Sequence, residues 1–93
     1  MVSKKLKKAR NEIDNVDRDI FELIKKRSKI VKYMMTLKKR KKEIIDNKRI
    51  NEILKKIRKK SIQNKIDPKV TDRIWKSMIW SYVEYQRKNF KKK

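Results

Sequence analysis

LKKARNEIDNVDRDIFELIKKRSKIVKYMMTL, residues Leu6–Leu37, places apolar side chains at Leu6, Ala9, Ile13, Val16, Ile20, Leu23, Ile30, Met34 and Leu37. Arg27 fills the remaining position of the series. The steps alternate between three and four residues, a heptad seam held over more than four repeats. No Gly or Pro interrupts it, so the pattern predicts a single helix over about residues 3–40, more than ~50 Å long at the α-helical rise. A compact monomer of this size has a radius of gyration near ~12 Å. Such a helix cannot bury its stripe against the rest of its own chain, so a partner subunit is expected, in an intertwined homodimer. A guanidinium on that seam is costly to bury alone, so Arg27 must reach water or meet an anion.

Outward from this helix, the composition of the 93 residues bounds the chemistry. The chain has no Gly, one Pro, no Cys and no His. That excludes disulfides, thiolate catalysis, histidine acid–base chemistry and a glycine-rich phosphate loop. The few carboxylates lie at helix-surface spacings, so no metal site and no cofactor is expected. Glycine-poor, Lys/Ile/Leu-rich composition with helical periodicity reads as all-α. No apolar run approaches membrane-spanning length, and the opening Met1-Val2-Ser3-Lys4-Lys5 lacks the apolar core of a signal peptide. A cytoplasmic location and no membrane partner are the expectations.

Lys and Arg outnumber Asp and Glu by 32 to 11, a formal charge of +21. Such an excess favours anionic partners, although most of it reads as lysine solvating helix faces and the tail Lys91-Lys92-Lys93. The run Lys38-Lys39-Arg40-Lys41-Lys42 and the aromatics Trp75, Trp80, Tyr82, Tyr85 and Phe90 offer phosphate grip and base stacking. Those aromatics fall at helical core spacing, which argues against nucleic acid as the primary partner.

After a polar stretch from Lys39 to Glu43, Asp46 is an N-cap for a second helix over about residues 47–63, with Ile50, Ile53, Leu54 and Ile57 on its apolar face. Asp67-Pro68 restarts the chain as a third helix over about residues 68–90. Val70, Ile74, Trp75, Met78, Ile79, Tyr82, Val83, Gln86 and Phe90 line one side of it, and the tail beyond is expected to fray. No repeat or second domain is evident, so residues 1–93 read as a single helical domain.

Three polar residues stand where apolar ones belong: Arg27 on the seam, Lys38 at its edge, and Gln86 on the stripe of Trp75, Ile79 and Tyr82. Each alone is open to a structural reading, as a polar residue that fixes register or oligomeric state. Together, cations and a neutral amide with no general base fit a pocket for a small dianion, where charge is stabilised without proton transfer.

The motif Arg10-Asn11-Glu12-Ile13-Asp14-Asn15-Val16-Asp17, followed by Arg27, Lys38, Asp46 to Arg49, Asp67-Pro68 and Tyr82 to Gln86, resembles the all-helical chorismate mutase family (chorismate mutase type II) across nearly the whole chain. The resemblance implies a three-helix protomer with one very long helix, in an intertwined dimer with two active sites. It implies conversion of chorismate to prephenate, a pericyclic step with no covalent intermediate and no cofactor. By the same resemblance, Arg27 clamps one substrate carboxylate and Arg10 reaches across from the other subunit to hold a carboxylate. Lys38 and Gln86 are the catalytic pair that hydrogen-bonds the ether oxygen as its charge grows, each donor supplying ~3 kcal/mol on the scale of oxyanion-hole deletions. Arg49 orients the substrate, and Asp46 shapes the loop beside the substrate hydroxyl.

One position departs from the family pattern. The mutases usually carry Glu after the residue matching Arg49, to accept a hydrogen bond from the ring hydroxyl; here it is Ile50. The related isochorismate–pyruvate lyases, which yield salicylate and pyruvate, look apolar there and are similar in the Lys38-to-Arg49 spacing and in a Tyr at the position of Tyr82. Lyase activity on isochorismate is therefore the alternative, with weak mutase activity expected alongside it. The plainer reading of Ile50 is a core residue sharing a face with Ile53, Leu54 and Ile57. A third possibility is a non-enzymatic basic helical dimer that binds nucleic acid.

Overall fold

A computed structural model describes residues 3–91. The chain is all-α, with α1 at Lys4–Leu37, α2 at Asn47–Gln63 and α3 at Pro68–Asn89, and a short 3-10 turn at Lys41–Ile44 between the first two. Among the described residues there is no strand. The tail residues Lys92 and Lys93, expected to fray, lie outside them. By its packing the chain divides into two units, Met1–Tyr33 and Met34–Lys93.

The first unit is the greater part of α1. Ser3 opens the helix, its hydroxyl accepting from the Leu6 N–H at 3.1 Å and its carbonyl from the Lys7 N–H at 3.0 Å. The apolar seam is exposed along this unit: Ile13 at 59%, Val16 at 52%, Ile20 at 47% and Leu23 at 65%. Among the described residues of this unit, Val31 is the buried one.

The second unit contains the compact core. Ile44, Ile79 and Val83 are buried together, with Ile45, Ile50, Ile53, Leu54, Trp75 and Phe90 packed against them. α2 lies against α3, and the 3-10 turn against α3. A buried hydroxyl pair ties the two helices: Ser61 Oγ donates to the Ile57 carbonyl at 2.7 Å and lies 2.6 Å from Thr71 Oγ1. Val70 and Ile74, at the start of the α3 stripe, are each 52% exposed, so the apolar stripe itself is covered only from Trp75 onward.

Local chemistry sets each boundary. Asp46 caps α2, its Oδ1 accepting from the Arg49 N–H at 3.0 Å. Asp67 caps α3 through the Lys69 N–H at 2.9 Å, with Pro68 pre-set at the first helical position. The end of α2 is a Schellman motif: Ile66 N–H to Ser61 carbonyl at 2.9 Å, and Lys65 N–H to Ile62 carbonyl at 3.3 Å. That motif needs a left-handed residue, and without any glycine in the chain Lys65 takes it, at φ 57°. Lys65→Gly is expected to stabilise the protein by about 1 kcal/mol, because the Cβ clash of the left-handed conformation disappears. Urea unfolding of the two proteins measures this, and an unchanged midpoint counts against strain at Lys65.

Candidate active site

α1 ends at Leu37, short of the expected boundary near residue 40, and Glu43 is the reason. Its Oε2 accepts from the Lys39 N–H at 2.7 Å and the Arg40 N–H at 3.2 Å. Those amides would otherwise continue the helical ladder. Arg40 is consequently extended, at φ −130° and ψ 143°, and the 3-10 turn starts behind it. The Arg40 amide first, then the Lys39 amide, hold the Glu43 carboxyl below its ordinary value of 4.5. A carboxylate with a depressed pKa in the folded state supports the turn above that pKa, and the support is lost as pH falls through it. The Lys39 and Arg40 amide resonances are therefore expected to titrate together with a midpoint below 4.5. Midpoints at the ordinary value would mean that the two bonds are not held in solution.

The termination of α1 delivers Lys38 to the core. Lys38 Nζ donates to Gln86 Oε1 at 2.8 Å, across 48 residues of sequence. Gln86 is 7% exposed on the last turns of α3, one helical step beyond buried Val83. Burial pushes the Lys38 pKa below 10.5, and the carboxylates of Glu43 and then Asp46 pull it partly back. In this bridge the Gln86 oxygen is engaged by Lys38. The groups left over are N–H donors: two on the ammonium and two on the Gln86 amide. Such a pair suits an oxygen that gains negative charge and offers nothing that would take a proton.

The other expected site residues divide between the two units. Asp46 and Arg49 are joined through the α2 cap, and Asp46 acts on Lys38 through its charge; both are exposed. Tyr82 is half-buried, one turn before Gln86 on α3. Ile50 packs against the buried cluster, in keeping with its plainer reading as a core side chain. Arg10 and Arg27 belong to the first unit. Arg10 is exposed, whereas Arg27 is half-buried with its Nη1 atom out of solvent contact. Glu43 is the residue that sequence reading missed. The available signal was its place three residues after Arg40 and directly before Ile44-Ile45, the acidic half of a capping pattern without its usual Ser or Thr.

A family model described as chorismate mutase type II matches residues 9–87, the greater part of the chain. No curated protein and no solved structure matches it.

Proposed function

The chain belongs to the chorismate mutase type II family, and we propose that it rearranges chorismate to prephenate. The observation that carries the reading is the Lys38–Gln86 bridge, a partly buried set of N–H donors with no acid–base partner. In the rearrangement the ether C–O bond breaks as a new C–C bond forms, and no proton is transferred. Lys38 and Gln86 then serve as the donors to the ether oxygen, whose charge is greatest in the transition state. Catalysis of this kind depends on holding one substrate conformer and stabilising charge where it develops.

Arg27 is assigned to one substrate carboxylate, Arg10 of the partner subunit to a carboxylate, and Arg49 to orienting the substrate, with Asp46 beside the substrate hydroxyl and Tyr82 and Ile50 lining the ring. The exposed seam of the first unit supports a homodimer, since an apolar stripe of this length is what a second copy would cover. The two units act as one domain in this reading, because a single family model spans both. Among the described residues, no helix is long and apolar enough to cross a membrane.

Ile50 supports a second reading. With an apolar side chain there, nothing at that position accepts a hydrogen bond from the chorismate ring hydroxyl, a feature shared with the isochorismate–pyruvate lyase branch. Incubation of the purified protein with chorismate and with isochorismate, followed by separation of prephenate from salicylate and pyruvate, separates the two. Prephenate from chorismate is the expected product. Salicylate with pyruvate as the dominant products would assign the lyase, and no product from either substrate overturns both. In the mutase case Ile50→Glu is expected to raise chorismate turnover. It also lowers stability by about 1–3 kcal/mol, because a carboxylate replaces a side chain packed on the core. An unchanged or lower rate per folded molecule counts against the missing-acceptor account.

A further inference from the structure

The 3-10 turn and the C-terminal part of α3 enclose a surface depression of about 560 Å³ lined by Lys41, Lys42, Arg87 and Ile45. Neither Lys38 nor Gln86 lines it. Three cations face one concavity and no carboxylate does. The acid nearest in sequence, Glu43, spends its carboxylate on the backbone amides of Lys39 and Arg40. The ion pairs Lys25–Glu22 and Lys76–Asp72 lie elsewhere on the chain. Like charges gathered without a counter-charge repel one another, and an anion seated among them relieves that repulsion.

We propose that this depression is an anion site separate from the Lys38–Gln86 pair, and that it takes a small ligand bearing two or more linked phosphates. The guanidinium of Arg87 presents a planar fork that matches a phosphate edge, and Lys41 and Lys42 supply compact point charges from the opposite element. Three formal positive charges match a diphosphate better than one carboxylate or one phosphate. The depression is open to solvent and too wide for a single phosphate to touch all three cations, and Ile45 is its apolar lining residue. A bound diphosphate would tie the 3-10 turn to α3, the two segments that flank Lys38 and Gln86.

With a charge of +21, any polyanion is attracted over the whole surface, so the test must separate a site from a field. Inorganic diphosphate is titrated calorimetrically into the whole protein at physiological ionic strength, where diffuse attraction is screened beyond about 8 Å. Lys41→Ala/Lys42→Ala/Arg87→Ala is compared with Lys55→Ala/Lys56→Ala/Lys59→Ala, which removes the same charge from exposed positions of α2. Saturable one-to-one binding is expected, weakened about tenfold or more by the first triple variant, as lost hydrogen bonds to a charged group imply. It should be little changed in the second. Arg87→Lys alone should also weaken it, because the fork is lost while the charge is kept. Helical circular dichroism verifies that each variant is folded; these side chains are exposed. Absence of saturation, or equal weakening by both triple variants, overturns the site. Tighter binding of a short oligonucleotide than of diphosphate through the same three residues overturns the small-ligand assignment.

Discussion

Lys38→Ala is expected to lower chorismate turnover by about 100-fold or more, the scale on which single oxyanion donors act. The loss should fall on kcat with KM close to unchanged. The ether oxygen carries little charge in bound chorismate and much more as the C–O bond breaks, so the ammonium acts mainly in the transition state. The substitution also removes the donor to the side-chain oxygen of Gln86, a residue only 7% exposed whose amide cannot readily turn to water. Gln86→Ala should therefore cost less when added to Lys38→Ala than when made alone, since the two act as one bridge. The rate should also decline as pH rises through the Lys38 pKa, which burial sets below 10.5. Glu43 exerts the larger of the two opposing carboxylate pulls, so Glu43→Gln should move that decline to lower pH while leaving one oxygen to accept a backbone amide. Full pH–rate profiles of the wild type, the three single variants and the Lys38→Ala/Gln86→Ala double variant measure these effects. A fall of less than tenfold in Lys38→Ala, or a rise in KM alone, would remove Lys38 from the chemistry.

If the seam of α1 is covered by a second copy, as proposed, Ile20→Asp is expected to separate the subunits, raising the dissociation constant about 1,000-fold or more. Ile20 is 47% exposed in the middle of the seam. Burying the half of an isoleucine side chain that is still exposed contributes about 1–1.5 kcal/mol, and a two-fold interface loses two of them. Each 1.4 kcal/mol is tenfold in affinity, before the cost of desolvating two carboxylates is added. If Arg10 reaches the partner's site, turnover at low protein concentration should disappear with the dimer and return as protein concentration rises. Sedimentation equilibrium and concentration-dependent rates test both. A wild-type monomer in solution, or a monomeric variant with full activity, would refute the shared site.

Most of the fold was legible in the residues because its boundaries are set by local chemistry. Asp46 and Asp67-Pro68 start α2 and α3 where capping chemistry requires. Periodicity found the apolar face of α3 but not how far it is covered, and Val70 and Ile74 on that face are exposed. Phase along a helix is a sequence property, whereas cover depends on what lies opposite. The end of α1 was misplaced because Glu43 acts backward on amides that a helical pattern would have kept, and a lone acid in a lysine run carries little signal. The left-handed turn at Lys65 was hidden for the opposite reason: the residue type that normally marks it is missing from the chain. Lys38 and Gln86 stood out as polar residues at apolar positions, and they meet at 2.8 Å. Their chemistry is legible only when the chain between them, which sets them 48 positions apart, is folded.

The row Ile79, Val83 and Gln86 makes chain length within α3 a functional variable in its own right. Its two hydrocarbons anchor the helix in the core, and its amide receives Lys38. One residue added between Val83 and Gln86 would turn the amide about 100° around the helix axis. Lys38 would then face whatever side chain slid into its place. An insertion or deletion in this stretch is therefore expected to break the Lys38–Gln86 bridge even where every individual side chain is kept.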